Sequence, residues 1–184
     1  VTITGTPNAT VSYTIDNGTA QNIVLDVNGD ASITSPVLNS NSVYCLVQVT
    51  SNSVPTCSVN LSNVCATITV IPLPTAVISA NSTCEGATGA VTITGTPNST
   101  VHYTIDNGPQ QTASIDATGS VVLTSPILTI DSEYCLVDIT LNSALACTQA
   151  IPACATITVL PLPIASISAN TICSGQTGSI DFSG

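Results

Sequence analysis

The sequence contains no lysine and no arginine, and this absence excludes several classes of partner. Its 184 residues include ten carboxylates and a single histidine, for a formal net charge of −10. Proteins that bind nucleic acid neutralise phosphate with Lys and Arg, and anionic membrane surfaces attract the same side chains. We therefore expect no nucleic-acid partner and no attraction to an anionic membrane, and the composition also predicts no internal salt bridges.

Methionine and tryptophan are absent too, and glutamate occurs only at Glu85 and Glu133. Helix-favouring residues are therefore scarce, whereas Thr, Val, Ile, Ser and Asn are frequent, which is typical of strands and turns. No apolar run approaches the roughly 18 residues that span a bilayer, so we expect no membrane insertion. Because 43% of the residues are hydrophobic, packed cores are possible, and the composition predicts an all-β fold.

The sequence repeats with a period of 89 to 90 residues, the size of one Ig-like β-sandwich domain. Residues 1–18 and 91–108 differ only at the pairs Ala9/Ser99 and Ser12/His102. Two Pro-Leu-Pro segments, 72–74 and 161–163, separate the units, and paired prolines favour short, stiff, extended linkers. The fold prediction is therefore a tandem array of disulfide-stapled Ig-like β-sandwich domains.

The repeat boundaries predict three domains in this chain. Residues 1–72 form a repeat that lacks its first strand, residues 75–160 form a complete repeat, and residues 164–184 begin a third. In the complete repeat, alternating apolar residues and turn signals predict seven strands, of which the last two cover 133–141 and 154–160.

The eight cysteines recur at the repeat spacing, four to each complete unit. Cysteines in such a register predict disulfides and an oxidising, extracellular compartment. Cys154 lies on the outer face of its strand, opposite to Ile157, and a hairpin places it across from Cys135. We expect a cross-strand Cys135–Cys154 bond and the equivalent bond Cys45–Cys65.

Two further cysteines of the complete unit, Cys84 and Cys147, are harder to assign. Elimination favours a Cys84–Cys147 bond within one domain, but the two positions lie at opposite ends of a standard Ig-like sandwich. A bridge across the joint between neighbouring domains therefore stays open. In either case Cys57 and Cys173 lack their partners in this sequence.

The remaining candidate sites have simpler structural explanations. Residues 26–30 (Asp-Val-Asn-Gly-Asp) resemble part of a calcium loop, but the equivalent residues 116–120 lack two of the oxygens, and a hairpin turn explains both. The two Asp-Asn-Gly segments at 16–18 and 106–108 are typical of type I′ turns. His102 is expected on the surface, and no nucleophile motif accompanies it. The sequence predicts no catalytic residue, no metal site, no cofactor and no enzyme activity.

One ordered set of motifs points to a known family. Cys84-Glu85-Gly86 is followed by VTITGTPN, then TV-x-YTIDNG, then Tyr-x-Leu-Val, then a late cysteine and ATITV-x-PLP. The set resembles the Ig-like tandem repeats of giant cell-surface adhesins in gliding bacteria of the Bacteroidota type. The resemblance implies type IX secretion, display on the cell surface and a part in gliding motility. It also implies a Cys84–Cys147 bond within one domain, with Cys135 and Cys154 additional to the usual pair.

The expected function is that of a structural stalk or spacer in a long extracellular adhesin or surface filament, with neighbouring repeats of the same chain as partners. Two alternatives stay open. Each repeat is a weak glycan or surface binder that gains avidity in the array, or other copies of the chain join it in a multi-chain filament. The first alternative is disfavoured because the four tyrosines, the main candidates to stack on sugars, are expected in the cores.

Overall fold

A computed structural model describes all 184 residues, and every regular element in it is a β-strand. The chain divides into two compact units, Val1–Pro72 and Leu73–Gly184. The prediction of an all-β fold is confirmed.

The strands of the first unit are β1 (Thr2–Thr4), β2 (Thr10–Ile15), β3 (Gln21–Val24), β4 (Asp30–Ser32), β5 (Ser42–Thr50) and β6 (Ser58–Ile68). Those of the second unit are β7 (Ala76–Ala80), β8 (Ser82–Cys84), β9 (Ala87–Gly95), β10 (Ser99–Ile105), β11 (Gln111–Ile115), β12 (Ser120–Leu128), β13 (Ser132–Leu141), β14 (Thr148–Leu160), β15 (Ser166–Ala169) and β16 (Ile180–Ser183).

The first unit consists of a four-stranded antiparallel sheet in the order β3-β2-β5-β6 and a separate pair, β1-β4. Successive side chains of a strand point to opposite faces, and the apolar ones share a face here. One core cluster consists of Ile3, Ala9, Val11 and Leu25, and Tyr13 and Tyr44 are also buried. The cluster therefore joins the β1-β4 pair to one face of the four-stranded sheet.

The second unit contains a five-stranded sheet, β11-β10-β13-β14-β8, a three-stranded sheet, β12-β9-β7, and the pair β15-β16. One core cluster holds side chains from both larger sheets. Ile93 of the three-stranded sheet and Ile139 and Ile157 of the five-stranded sheet are fully buried. The residues predicted to begin a third domain, 164–184, include the exposed pair β15-β16.

Equivalent strands of the two units pair in equivalent registers. Cys45 lies opposite Cys65 between β5 and β6, and Cys135 lies opposite Cys154 between β13 and β14. Each of these pairings also contains one irregularity at the same place, just after Leu46 and just after Leu136. The local strand pairing is therefore the same on either side of the irregularity, where β6 has one unpaired residue more than β14.

Strands β14 and β8 of the second unit differ most from the prediction. β14 begins at Thr148 rather than at 154, and Pro152 lies within it at the irregularity in its pairing with β13. A bulge tolerates proline because no ladder hydrogen bond is needed there. Strand β8 was not expected, because its parallel pairing with the end of β14 joins distant parts of the sequence.

Candidate functional site

The most prominent chemical feature of each unit is a disulfide on the outer face of its larger sheet. The structure contains Cys45–Cys65 and Cys135–Cys154, with Cα–Cα distances of 4.1 and 4.0 Å. The neighbours of Cys135 on its strand, Tyr134 and Leu136, are buried. Because strand residues alternate between faces, the sulfur atoms lie away from the core and bridge two adjacent strands.

Four cysteines are unpaired in the structure: Cys57, Cys84, Cys147 and Cys173. The predicted Cys84–Cys147 bond is wrong for this chain. Cys84 lies opposite Leu160, the last residue of β14, whereas Cys147 directly precedes Thr148, its first residue. The two cysteines therefore lie at opposite ends of a 13-residue strand, about 40 Å apart. A disulfide needs Cα atoms within roughly 7 Å.

A carboxylate anchors the same turn in each unit. Asp106 Oδ2 accepts a hydrogen bond from Ser132 Oγ at 3.0 Å, and Oδ1 accepts one from the Glu133 amide at 2.7 Å. In the first unit Asp16 bonds to Ser42 and Val43 at the same two distances. These bonds join the β10–β11 and β2–β3 turns to the starts of β13 and β5.

The Asp-Asn-Gly turns differ in one respect from a type I′ turn centred on Asn-Gly. Positive φ angles occur at Asp16 (49°) and Asn17 (59°), and the Gly18 amide donates to the Ile15 carbonyl at 2.8 Å. The two central residues are therefore Asp and Asn, rather than the expected Asn and Gly. Sequence reasoning missed the anchor because Ser42 lies 26 residues away from Asp16.

The segments that resemble calcium loops are closed by their own backbone. Asp26 Oδ1 accepts hydrogen bonds from the Asn28 and Asp30 amides at 2.8 and 2.9 Å. The bond from the Asp30 amide, followed by that from the Asn28 amide, lowers the pKa of Asp26. The pKa of Asp116 is lowered chiefly by the Thr118 hydroxyl and then by the Ser120 amide. Both carboxylates thus act as turn acceptors.

His102 forms an ion-pair contact that the composition did not predict. Its Nδ1 lies 2.5 Å from Asp138 Oδ1, across the β10–β13 pairing, and both side chains are partly exposed. The expectation of no internal salt bridge considered only Lys and Arg as cations and did not include this contact. A partly exposed pair of this kind contributes less than about 1 kcal/mol.

One cluster of side chains has the spacing of a metal site, but its chemistry does not suit a metal. Ligand atoms of Glu133, Cys135 and Cys154 lie within 4.8 Å of one another. Both sulfur atoms are joined in the disulfide, and the thiolate is the form of cysteine that ligates metals. The cluster therefore offers only one carboxylate.

The aromatic side chains are almost all enclosed. The exposed fractions of Tyr13, Tyr44, Tyr103 and Tyr134 range from 2% to 7%, whereas Phe182 is 78% exposed. Burial, followed by Tyr103 and Asp106 nearby, raises the pKa of Tyr134. The prediction that the tyrosines lie in the cores is confirmed, and none of them offers a ring face for a sugar.

Comparison of the chain with protein-family models finds no match, and comparison with curated proteins finds no similar sequence. The structure contains no helix with the length and apolar character needed to cross a membrane.

Proposed function

We propose that this chain is a section of a non-catalytic stalk, built from tandem Ig-like β-sandwich repeats of about 90 residues. The stalk carries a binding region away from a cell surface, as part of a long adhesin or surface filament. Its partners are the neighbouring repeats of the same chain, and it needs no cofactor. The resemblance to gliding-bacterium adhesins supports a location outside the cell and export by type IX secretion.

The observation that carries the proposal is the recurrence of one crosslinked strand arrangement along the chain. The pairings β2-β5-β6 and β10-β13-β14 have equivalent registers apart from one extra residue in β6, and each is bridged by a disulfide between equivalent cysteines. A spacer needs durable, equivalent units, whereas a binding module or an enzyme needs converging polar groups. The polar contacts at Asp16, Asp26, Asp106 and Asp116 serve turns.

The disulfides also support the location. Disulfides form and persist in oxidising compartments such as the cell exterior, and this chain contains two of them. The same bonds hold adjacent strands together.

Lateral assembly into a multi-chain filament is the second candidate, and one observation favours it. Val77, Val122 and Ile127 of the three-stranded sheet are between 59% and 68% exposed. Exposed apolar side chains on one sheet are a feature that protein–protein contacts use. In this case the repeats themselves would form the filament interface.

Small-angle scattering on chains of two, three and four complete repeats tests the stalk against the alternatives. A 13-residue strand at about 3.3 Å per residue sets the length of a repeat near 40 Å. For a stalk we expect the maximum dimension to grow by about 40 Å per added repeat at every protein concentration. A dimension that stays constant would contradict the stalk, and a mass per length that rises with concentration would favour the multi-chain filament.

A further inference from the structure

The four unpaired cysteines fall into two types, according to which end of β14 they lie beside. Cys84 and, one period later, Cys173 are here named the exit thiols, because Cys84 lies opposite Leu160, where the chain leaves the repeat. Cys147 and its equivalent Cys57 are named the entry thiols. They precede β14 and β6, the last strands of their repeats.

The exit thiol lies beside the linker that leads out of its repeat. The amide of Glu85 donates a hydrogen bond to the Leu160 carbonyl at 2.8 Å, and Pro161 follows directly. The side chain of Cys84 is exposed. Its sulfur is therefore held within a few residues of the joint and is accessible.

The entry thiol lies at the opposite end, where the chain arrives. Leu73–Ala76, which lead into the complete repeat, line one shallow surface pocket together with Gln149–Ile151. Cys147 is two residues before Gln149, and its carbonyl accepts a hydrogen bond from the Leu141 amide at 3.0 Å. An arriving linker therefore passes close to the entry thiol of the repeat that it enters.

These positions keep the two thiols of one repeat far apart, but they bring thiols of neighbouring repeats close to each other. Along β14 the two thiols of one repeat are about 40 Å apart. Across a joint the route is short, because Leu162 takes the place of Leu73 one period later and lies two residues after Leu160. We infer that the exit thiol of each repeat forms a disulfide with the entry thiol of the next, so that the joints of the array are covalently locked.

This pairing rule accounts for all four unpaired cysteines. The exit thiol Cys84 needs the entry thiol of the following repeat, which falls near residue 236 (147 plus the period of 89). Cys173 likewise needs an entry thiol one repeat further on, and Cys57 and Cys147 need exit thiols in the repeats that precede theirs. Residues 1–184 contain no adjacent exit and entry pair, and all four thiols are free.

The chemistry is ordinary disulfide formation by exchange. The two thiols lose their protons, an Sγ–Sγ bond forms, and the two electrons reduce an external disulfide donor to two thiols. The same class of donor is required for Cys45–Cys65 and Cys135–Cys154. The inference rests on the tandem array of the proposed function, but it does not depend on what the stalk carries.

A chain with one added repeat tests the pairing. Residues 73–161 are duplicated in frame after Pro161, which restores the Pro-Leu-Pro joint and places an entry thiol one repeat after Cys84. After oxidation with glutathione disulfide, the chain is digested with pepsin, because trypsin has no Lys or Arg to cut. We expect peptides linking Cys84 of the first copy to Cys147 of the second, with free thiols falling from six to four per chain.

Matched variants identify the bond. Cys84→Ser in the first copy should abolish the link, whereas Cys84→Ser in the second copy should leave it intact. The Cys135–Cys154 peptides in the same digest report that both copies are folded. A Cys84–Cys147 link within one copy, disulfide-linked dimers of the chain, or six thiols that stay free would each overturn the inference. Scattering on the reduced chain still measures the length per repeat, so a failed stalk is distinguished from a failed bond.

Discussion

The two units build the same strand pairing on nearly the same sequence, yet they differ in how well that pairing is covered. Ile157 of the second unit is fully buried, whereas Ile68, its equivalent in the first, is only half-buried. In the second unit a three-stranded sheet contributes Val91 and Ile93 to the shared core. In the first unit the β1-β4 pair contributes Ile3 and the partly buried Ala31.

Comparing the two units distinguishes features that depend on the local sequence from features that depend on the strands covering the sheet. The strand registers and the disulfide are present in both units, so they do not require β7, β8 and the start of β9. In the second unit, residues of β7 and β9 pack into the core that buries this sheet. In the first unit Tyr44 has a buried hydroxyl without a hydrogen-bond partner, and it lines a cavity of about 240 Å³. Tyr134, its equivalent, stacks on Tyr103 with ring centroids 6.3 Å apart.

The largest predicted effect comes from removing the buried side chain that distinguishes the two units. Ile157→Ala should destabilise the second unit by about 2–5 kcal/mol, because it leaves a cavity in a closed core. Ile68→Ala is the matched control and should cost only about 1–2 kcal/mol, because its side chain is already partly exposed. Amide hydrogen exchange on peptic fragments reports each unit separately. Equal losses of stability in the two variants would show that the covering strands are unimportant.

The second-largest effect is the loss of a cross-strand disulfide, and it should be the same in both units. The disulfides Cys45–Cys65 and Cys135–Cys154 span 20 and 19 residues, and loops of this length predict roughly 3 kcal/mol of stabilisation for each. Replacing both cysteines of one pair by alanine should therefore lower the free energy of unfolding of that unit by a similar amount in either case. Denaturant titration followed by hydrogen exchange measures it. A loss confined to one unit would contradict the equivalence of the repeats.

A smaller effect concerns the carboxylate anchors. Asp106→Ala removes the acceptor of two hydrogen bonds and leaves the buried Ser132 hydroxyl without its partner, at a cost of about 1–2 kcal/mol. Asp16→Ala should cost the same in the first unit. Asp106→Asn keeps one acceptor oxygen and should recover part of the loss. Thermal melting measures all three variants, and a neutral Asp106→Ala would show that the anchor is not stabilising.

The smallest predicted effect is a loss of stability at acid pH. Hydrogen bonds to Asp26 and Asp116 lower the pKa of each carboxyl in the folded chain, so the unfolded chain binds these protons at higher pH. Their stabilisation is present above the unfolded pKa, near 4, and is lost as the pH falls through the folded pKa. We expect the melting temperature to decline below about pH 4. Asp116→Asn should weaken that decline, and an unchanged slope would contradict the assignment.

Much of the fold was predictable because its signals are local. Alternation along β9 and β10 located the core faces, and the strand faces at Cys135 and Cys154 located a crosslink that the structure contains. Strand β8 was not predictable, since three residues carry little periodicity and its partner lies some 75 residues further along the chain. The position of Cys84 depends on that pairing, which is why elimination gave a wrong bond.

The polar contacts show the same limit. The Asp26 turn was visible in the sequence, because the Asn28 and Asp30 amides lie within four residues of the carboxylate. The anchor from Asp106 to Ser132 joins two strands whose proximity is known only once the sheet is formed. His102 and Asp138 meet for the same reason, across the β10–β13 pairing. Sequence reasoning found contacts within a turn and missed contacts between strands.

The position of the cross-strand disulfide also sets how far a repeat extends when it is pulled from its ends. Cys135 and Cys154 are 19 residues apart, and the chain between them is withheld from extension while the bond is intact. At about 3.4 Å per residue this segment amounts to roughly 65 Å of contour length. An oxidised repeat that unfolds under tension should therefore lengthen by that much less than a reduced one.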